Sequence, residues 1–471
     1  MNQYALERAV NFTKSWLRYQ SRQGKLSGLS VQVRIGGKTV LSESYGWADT
    51  LTERPTTSDT LYSIGSQAKV LTSLALLALE KQGMLALDDA AVAYLPWLTD
   101  HQDKRVWAIT LRQLLWHGSG LRRDGHPADF WQLFEPFPTE ARLQHMVLAS
   151  TLVSDPGARF KYSNLGYALL GQVIEKVSGK PYAHYVTTNI LTPLEAKEII
   201  AYSSLAPPTA LATGYLRALE TVRTPVQLFV PAHTYTAVAG WYATAGAMTH
   251  LLHRICSTPN EQTPAHHSHR GHWQPEAIRG TEYGWGFMPY EHNGRQLTGH
   301  TGSFIGHATY CYHDKATAMT VAVFANTKDA PVSQIAEGIF DTFSYFDTYA
   351  PTPTSPEVNR FNIRLANMWQ IIEVVATNEQ IVIIDPDDWS PFETIIEKLE
   401  HTDETSFTIV AADDVATLFE EVKFYFTPDG HTVEWVDYAG SKTLPLQQYR
   451  KWLATAKKTA TPRSGSDWQT S

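Results

Sequence analysis

Leu61-Tyr62-Ser63-Ile64-Gly65-Ser66-Gln67-Ala68-Lys69, running on into Val70-Leu71-Thr72-Ser73-Leu74-Ala75-Leu76-Leu77, is the stretch that decides how this 471-residue chain is read. A serine hydroxyl is a poor nucleophile near neutral pH, because its proton must leave as it attacks. A lysine three residues further along a helix lies on the same face, one turn away, where it can take that proton or orient the group that does. From Val70 to Gln82 the run is rich in Leu and Ala and holds no Pro or Gly. It meets Gly83 where a helix C-cap is expected. The spacing therefore predicts a helix with Ser66 at its N-terminus, where free N–H groups and the helix dipole favour developing negative charge. Alone, S-x-x-K is a common pattern, and an exposed Ser and Lys on a solvated helix start would look the same.

Context comes from two further pieces. Tyr162-Ser163-Asn164 follows Pro156-Gly157 and precedes Leu165 to Val177, a helical stretch that stops at Ser178-Gly179-Lys180-Pro181. A tyrosine beside a lysine ammonium has its phenolate favoured, so a lowered pKa and a proton-shuttling role are expected for Tyr162. Asn164 can offer its amide to a substrate carbonyl and hold the lysine. The bland alternative is a tyrosine capping a packed helix with its hydroxyl in water. His300-Thr301-Gly302-Ser303 lies between Gly299 and Phe304. Glycine there allows a ligand close to the backbone, and Thr301 and Ser303 can hydrogen-bond a carboxylate or amide. Arg295 to Thr298, Ala308 to Tyr312 and Ala318 to Phe324 read as strands, so a glycine-marked turn between strands is the competing reading.

In this order and at these separations, the three pieces resemble the serine β-lactamase and penicillin-binding protein superfamily. The likeness is greatest to its class C-like branch of β-lactamase-related serine hydrolases, esterases, D-aminopeptidases and D-specific endopeptidases. Flanking stretches share it: ITLRQLLWHGSGL (Ile109 to Leu121), Pro156-Gly157, AVAGWYATAGAM (Ala237 to Met248) and Tyr283-Gly284-Trp285-Gly286. The resemblance spans roughly residues 20 to 345 and is specific as a set.

That resemblance implies an α+β sandwich: an antiparallel sheet flanked by helices, with a helical insert between the first two motifs and the active site where insert and sheet meet. It implies Ser66 as the nucleophile forming an acyl-enzyme, with Lys69 and Tyr162 sharing acid–base work. Asn164, His300, Thr301, Gly302 and Ser303 would bind substrate, and the N–H groups of Ser66 and Ser303 would form the oxyanion hole. One position departs from the pattern: where β-lactamases and transpeptidases carry K-T-G, this chain has His300. Lysine is a permanent charge suited to a substrate carboxylate, whereas histidine is mostly neutral at pH 7. The H-x-G form resembles the aminopeptidase and esterase members, and it predicts activity that senses pH through His300. The function implied is amide or ester hydrolysis of small peptides, D-residues included, or of short esters. The alternatives are a β-lactamase or D-alanyl-D-alanine carboxypeptidase, or a non-catalytic sensor.

Composition fits a globular enzyme, with 43% hydrophobic and 18% charged residues. A formal charge of −8 and the lack of any Lys/Arg-rich block give no footprint for nucleic acid. Two cysteines, Cys256 and Cys311, are too few for a disulfide framework, and buried reduced thiols are expected. No cofactor fingerprint or metal-ligand spacing stands out. His266, His267, His269 and His272 sit among Pro264, Ser268 and Gly271 and read as an exposed loop rather than a metal site. His117 reads as bonding backbone. Trp107, Trp116, Trp131, Phe130, Phe134 and Phe137 are either core or pocket wall, with core favoured. The N-terminus lacks a secretion signal's layout and no apolar run has the length of a membrane span, so a cytoplasmic enzyme is expected; a removed signal would place it outside the cell.

Along the chain, residues 4 to 23 read as an amphipathic helix, and Leu29 to Arg34 with Thr39 to Ser44 as a hairpin around Gly36-Gly37. The hydrolase domain is expected over 1–349, followed by a stiff Pro-rich linker at 350–356. Short strands at Ile371 to Val375, Gln380 to Ile384, Ser406 to Val410, Val422 to Phe426 and Thr432 to Val436 predict a small all-β domain over 357–452. It is similar to the lipocalin-like barrels of some class C-like relatives, which implies a homo-oligomer contact or a cover for the active site. Residues 453–471 read as a disordered tail.

Overall fold

The hairpin around Gly36-Gly37 forms as its alternation predicts: β1 (Gly28–Ile35) pairs antiparallel with β2 (Lys38–Asp49), Val31 opposite Glu43. The computed structural model describes residues 1–23, 26–202, 209–218, 222–226, 231–257, 268–269, 283–393 and 395–459. Its contacts divide the chain into two units, one of residues 21–336 and one of 1–20 with 337–471.

In the first unit, β1 is central to an antiparallel sheet. After β3 (Arg54–Pro55), four strands come from far along the chain: β4 (Tyr290–His292), β5 (Arg295–Phe304), β6 (His307–Asp314) and β7 (Met319–Ala325). The order across the sheet is β4-β5-β6-β7-β1-β2-β3. Every residue of β6 and β7 is buried, as expected for strands covered on both faces. His300 to Ser303 thus lies within strand β5, and the turn falls later, at Ile305-Gly306, so the competing reading of that motif as a turn between strands does not hold.

The helical part of this unit is held by apolar faces. Here α2 (Ala68–Lys81), α3 (Leu111–Leu115), α4 (Glu140–Leu148), α5 (Asn164–Ser178) and α6 (Ala245–Cys256) surround a core that includes Leu71, Leu76, Leu114, Leu170 and Leu251, the helix before them in the chain, α1 (Gln3–Ser21), falling almost wholly in the other unit. Between α2 and α5 the expected helical insert is built of short helices and 3-10 turns. Cys256 and Cys311 are free and buried, and burial pushes both thiols up, Cys256 to about 12.

In the second unit, α1 (Gln3–Ser21) packs with a closed eight-stranded antiparallel barrel. The barrel runs β8 (Ile363–Ala366), β9 (Ile371–Ala376), β10 (Ile381–Ile384), β11 (Ile395–His401), β12 (Ser406–Ala412), β13 (Glu421–Phe426), β14 (Val433–Tyr438) and β15 (Ser441–Pro445). β8 closes on β15 through Leu365 and Pro445. Three of these strands, β8, β11 and β15, lie outside the five read from the sequence. Phe361, Phe407, Ile409, Phe424 and Val436 fill the interior. Trp16 Nε1 donates to the Asp388 carbonyl (3.1 Å) and Tyr19 to Asp387 (2.8 Å). The proline-rich stretch is pinned to α1, since Asn2 Nδ2 donates to the Pro351 carbonyl (2.6 Å) and Arg8 Nη1 to Thr354 (2.5 Å). The last helix runs Leu446–Thr459, so residues 453–459, read as tail, are helical; 460–471 lie outside the described residues. Among the described residues no helix is long and apolar enough to cross a membrane.

Candidate active site

Gly65–Gln67 forms one 3-10 turn that leads straight into α2. This places Lys69 Nζ 3.1 Å from Ser66 Oγ. The base of α2 is braced by a segment more than 160 residues away in the chain. Ile64 N–H donates to the Trp241 carbonyl (3.0 Å), Thr72 Oγ1 to that of Ala237 (2.7 Å) and Lys69 Nζ to that of Val238 (3.2 Å). The AVAGWYATAGAM stretch therefore supplies the Val238 carbonyl that fixes the lysine and two more that hold the turn and first helical residues around it.

Tyr162 immediately precedes the Ser163 cap of α5, whose Oγ accepts from Gly166 N–H (3.0 Å) and donates to the Arg122 carbonyl (2.7 Å). Held by this cap, Tyr162 donates to Ser66 Oγ at 2.9 Å. Asn164 is the first residue of α5 and is buried. Its Nδ2 donates to Asp124 Oδ1 (2.8 Å) rather than bridging to Lys69. The expectation that Asn164 holds the lysine is thus replaced: the Val238 carbonyl holds Lys69, and a carboxylate, which can only accept from Asn164, takes its amide.

The third motif reaches Ser66 across the free edge of β5, because β4 pairs only with Arg295 to Leu297. Two glycines permit the approach. A Cβ on Gly302 would stand 1.9 Å from the Ile64 carbonyl oxygen, and one on Gly65, at φ +52°, would stand 2.6 Å from the Ser303 backbone nitrogen. The N–H groups of Ser66 and Ser303 therefore belong to two backbones in close apposition. Gly302→Ala is expected to cost about 1–3 kcal/mol through overpacking. It should also slow acylation of Ser66 at least about tenfold by moving β5 away from the turn. Thermal melts and acylation rates check this; an unchanged variant would show that the two backbones are not so close in solution.

Burial governs the electrostatics. Lys69 is fully buried, and desolvation lowers its pKa well below the ordinary lysine value despite the nearby Asp124 charge. Tyr162 moves the opposite way to expectation: burial raises its pKa, and the hydrogen bond to Ser66 offsets only part of that. Burial thus shifts Lys69 toward its neutral amine and Tyr162 toward its neutral phenol, with Nζ 5.0 Å from the Tyr162 ring centre.

His300 is buried, and desolvation, with the Lys69 charge second, lowers its pKa to about 3. Its Nδ1 bonds the Thr301 carbonyl, so Nδ1 carries the proton and Nε2 accepts from Tyr283 OH at 3.3 Å. This overturns pH sensing through His300, because the imidazole protonates only far below neutrality. We expect His300→Gln to leave the acid limb of the kcat/KM–pH profile where it stands in the wild type; displacement of that limb would return it to His300. His117 does bond backbone, accepting at Nδ1 from Ser163 N–H (3.1 Å), and it packs on Tyr162 with ring centres 4.3 Å apart.

Of the aromatic residues weighed as core or wall, Phe130, Phe137 and Trp116 are core and Trp131 packs partly buried against it, while Trp107 and Phe134 are exposed. His266, His267 and His272 lie outside the described residues, as does the side chain of His269. Among the described residues no group of three or more His, Cys, Asp or Glu could hold a metal. Asp124 and Lys328, whose Nζ donates to Ser303 Oγ, were not singled out from the sequence. Both are charged residues in loops, and nothing local distinguishes them from solvated ones.

Sheet, helices and site together define a β-lactamase type of fold. The Beta-lactamase family model matches residues 13–342, and the chain belongs to that family. Protein flp of Staphylococcus aureus (strain NCTC 8325 / PS 47) is 31% identical over 181 residues, 38% of this chain and 35% of that protein. Penicillin-binding protein 4* of Bacillus subtilis (strain 168) is 28% identical over 191 residues, 38% of this chain and 40% of that protein. The match thus spans little more than a third of these curated relatives. Among solved structures, the octameric penicillin-binding protein homologue from Pyrococcus abyssi aligns over 92% of this chain and 99% of its own, at 22% identity and a TM-score of 0.62. A D-stereospecific amidohydrolase from a Streptomyces species covers 69% and 96%, at 23% identity and 0.60. These likenesses carry the fold.

Proposed function

We propose that this chain is a serine hydrolase that cleaves an amide or ester bond through an acyl-Ser66 intermediate, acting on small peptides, D-residues included, or on short esters. The observation that carries this is Ser66 Oγ set between Lys69 Nζ (3.1 Å) and Tyr162 OH (2.9 Å), with Lys69 desolvated. Ser66 attacks the scissile carbonyl and passes its proton to neutral Lys69. The N–H groups of Ser66 and Ser303 receive the oxyanion. Tyr162 protonates the leaving group and regains its proton from Lys69, so the acyl-enzyme forms with no net proton change. Water then attacks by the reverse route. Similarity in fold to the D-amino acid amidase from Ochrobactrum anthropi and to EstCE1, a hydrolase with promiscuous acyltransferase activity, supports the substrate class.

The test is intact-protein mass after exposure to a fluorophosphonate, with peptide mapping, followed by assays on D- and L-amino acid amides, short esters, a cephalosporin and a D-Ala-D-Ala peptide. One adduct on Ser66 with turnover of amides or esters is expected. A folded protein with no adduct would leave a non-catalytic binding role, and turnover confined to the cephalosporin would make it a β-lactamase.

A further inference from the structure

His117 stands two residues after α3, fully buried, with its backbone in the left-handed region at φ +61°. Glycine takes that conformation freely and other residues seldom do, so the fold keeps this side chain at a conformational cost. Its bonds fall on both sides of Tyr162. The His117 carbonyl accepts from Lys161 N–H (2.8 Å), and Nδ1 accepts from Ser163 N–H (3.1 Å). The imidazole also packs on the Tyr162 ring, with planes 36° apart. One residue thus holds the backbone before Tyr162, the backbone after it and its ring. Two further tyrosines back the imidazole, Tyr283 with ring centres 4.4 Å away and Tyr167 at 5.0 Å. Both are anchored, Tyr283 OH on His300 Nε2 (3.3 Å) and Tyr167 OH on the Leu115 carbonyl (2.7 Å).

The tautomer follows from the partner. A backbone N–H only donates, so Nδ1 is bare and Nε2 carries the hydrogen. Burial first, then the Lys69 and His300 charges, lower the pKa of His117 well below the ordinary histidine value, so the acceptor persists at neutral pH. Nε2 is buried and, among the described residues, has no hydrogen-bond partner. A core leucine or phenylalanine would leave no such orphan donor. What the histidine adds over either is the acceptor at Nδ1.

We propose that His117 is the positioning residue for proton transfer by Tyr162: through its Nδ1 acceptor it fixes the segment that holds the phenol on Ser66 Oγ. It acts through Tyr162 and not on the substrate. The proposal rests on the hydrolase reading above, in which Tyr162 protonates the leaving group.

The experiment compares His117→Asn, which tolerates the left-handed backbone and keeps an acceptor for Ser163 N–H, with His117→Leu, of nearly the same size but without one. Each is assayed on an amide and on a p-nitrophenyl ester of the same acyl group, because p-nitrophenolate leaves without a proton and an amine does not. His117→Leu should lose at least about tenfold in kcat/KM on the amide and less than about threefold on the ester. His117→Asn should lie closer to the wild type than to His117→Leu on both. Should His117→Leu not fold, His117→Gly, at ease in that backbone, takes its place. Equal losses on the two substrates, wild-type kinetics in His117→Leu, or an Asn variant as impaired as the Leu one overturns the proposal. NMR of tyrosine labelled with 13C at Cε gives a readout free of turnover. The Tyr162 ring signal, assigned by Tyr162→Phe, should stay single and sharp in His117→Asn and split or broaden in His117→Leu; a signal equally sharp in both also overturns it. If the wild type cleaves neither substrate and Ser66 takes no fluorophosphonate, the hydrolase reading falls, and the ring signal alone decides whether His117 holds Tyr162.

Discussion

Ser66→Ala should lose at least about 10⁴-fold in kcat/KM toward any substrate the wild type cleaves, while melting within a few degrees of it. The change removes one oxygen. Lys69 Nζ keeps its bond to the Val238 carbonyl, and Tyr162 is still positioned by the cap of α5. The lost interactions are the two that converge on Oγ, at 3.1 and 2.9 Å. Loss of turnover together with loss of structure would say nothing about chemistry, so circular dichroism and a melt accompany the kinetics. Full activity in the variant would remove Ser66 from the mechanism.

Lys69→Met should be nearly as damaging, about 10³-fold or more in acylation, because the site then lacks a base within reach of the hydroxyl. Its effect on stability should have the opposite sign. A lysine whose folded pKa lies below its unfolded value must shed a proton on folding. The unfolded chain therefore binds more protons between the two values, and stability rises with pH across that window. Below the folded pKa the lysine is protonated in the folded and the unfolded chain alike, only the folded chain buries the ammonium, and the full penalty applies. Methionine fills much the same volume without that penalty. Lys69→Met is therefore expected to melt above the wild type at pH 7 and to lose that advantage as pH approaches the ordinary lysine value. In the wild type, kcat/KM should fall as pH drops through the Lys69 pKa, since the ammonium has no lone pair. A variant that melts lower at every pH would show that the bonds to Val238 and Ser66 outweigh desolvation.

Much of the framework was legible because its signals are local. The α2 run lacks helix breakers over fourteen residues, and Ser163 with Gly179 brackets α5 as an N-cap and C-cap should. The β1–β2 hairpin follows from alternation around Gly36-Gly37. Three barrel strands were missed for equally physical reasons. Ile363–Ala366 is only four residues, Ser441–Pro445 ends in proline, and Ile395–His401 carries Glu397, Lys398 and Glu400, which mask its alternation. Glu397 faces inward, bonded by Tyr438 OH at 2.7 Å, a pairing that no local window contains.

The sequence by itself determined which groups could do chemistry here: a serine and a lysine one helical turn apart, a Tyr-Ser-Asn at a second helix start, and a glycine-bearing His-Thr-Gly-Ser stretch among strands. Covalent spacing along a helix brings Ser66 to Lys69 whatever surrounds them. Tertiary structure alone decided their protonation and their partners. Protonation depends on how much water is removed, and Lys69, Tyr162 and His300 are dried by residues scattered from His117 to Tyr283. Partners depend on which segments meet: Asp124 could take the amide of Asn164 only once its loop had bonded to the start of α5, and Lys328 could reach Ser303 only once β5 and β7 lay in one sheet.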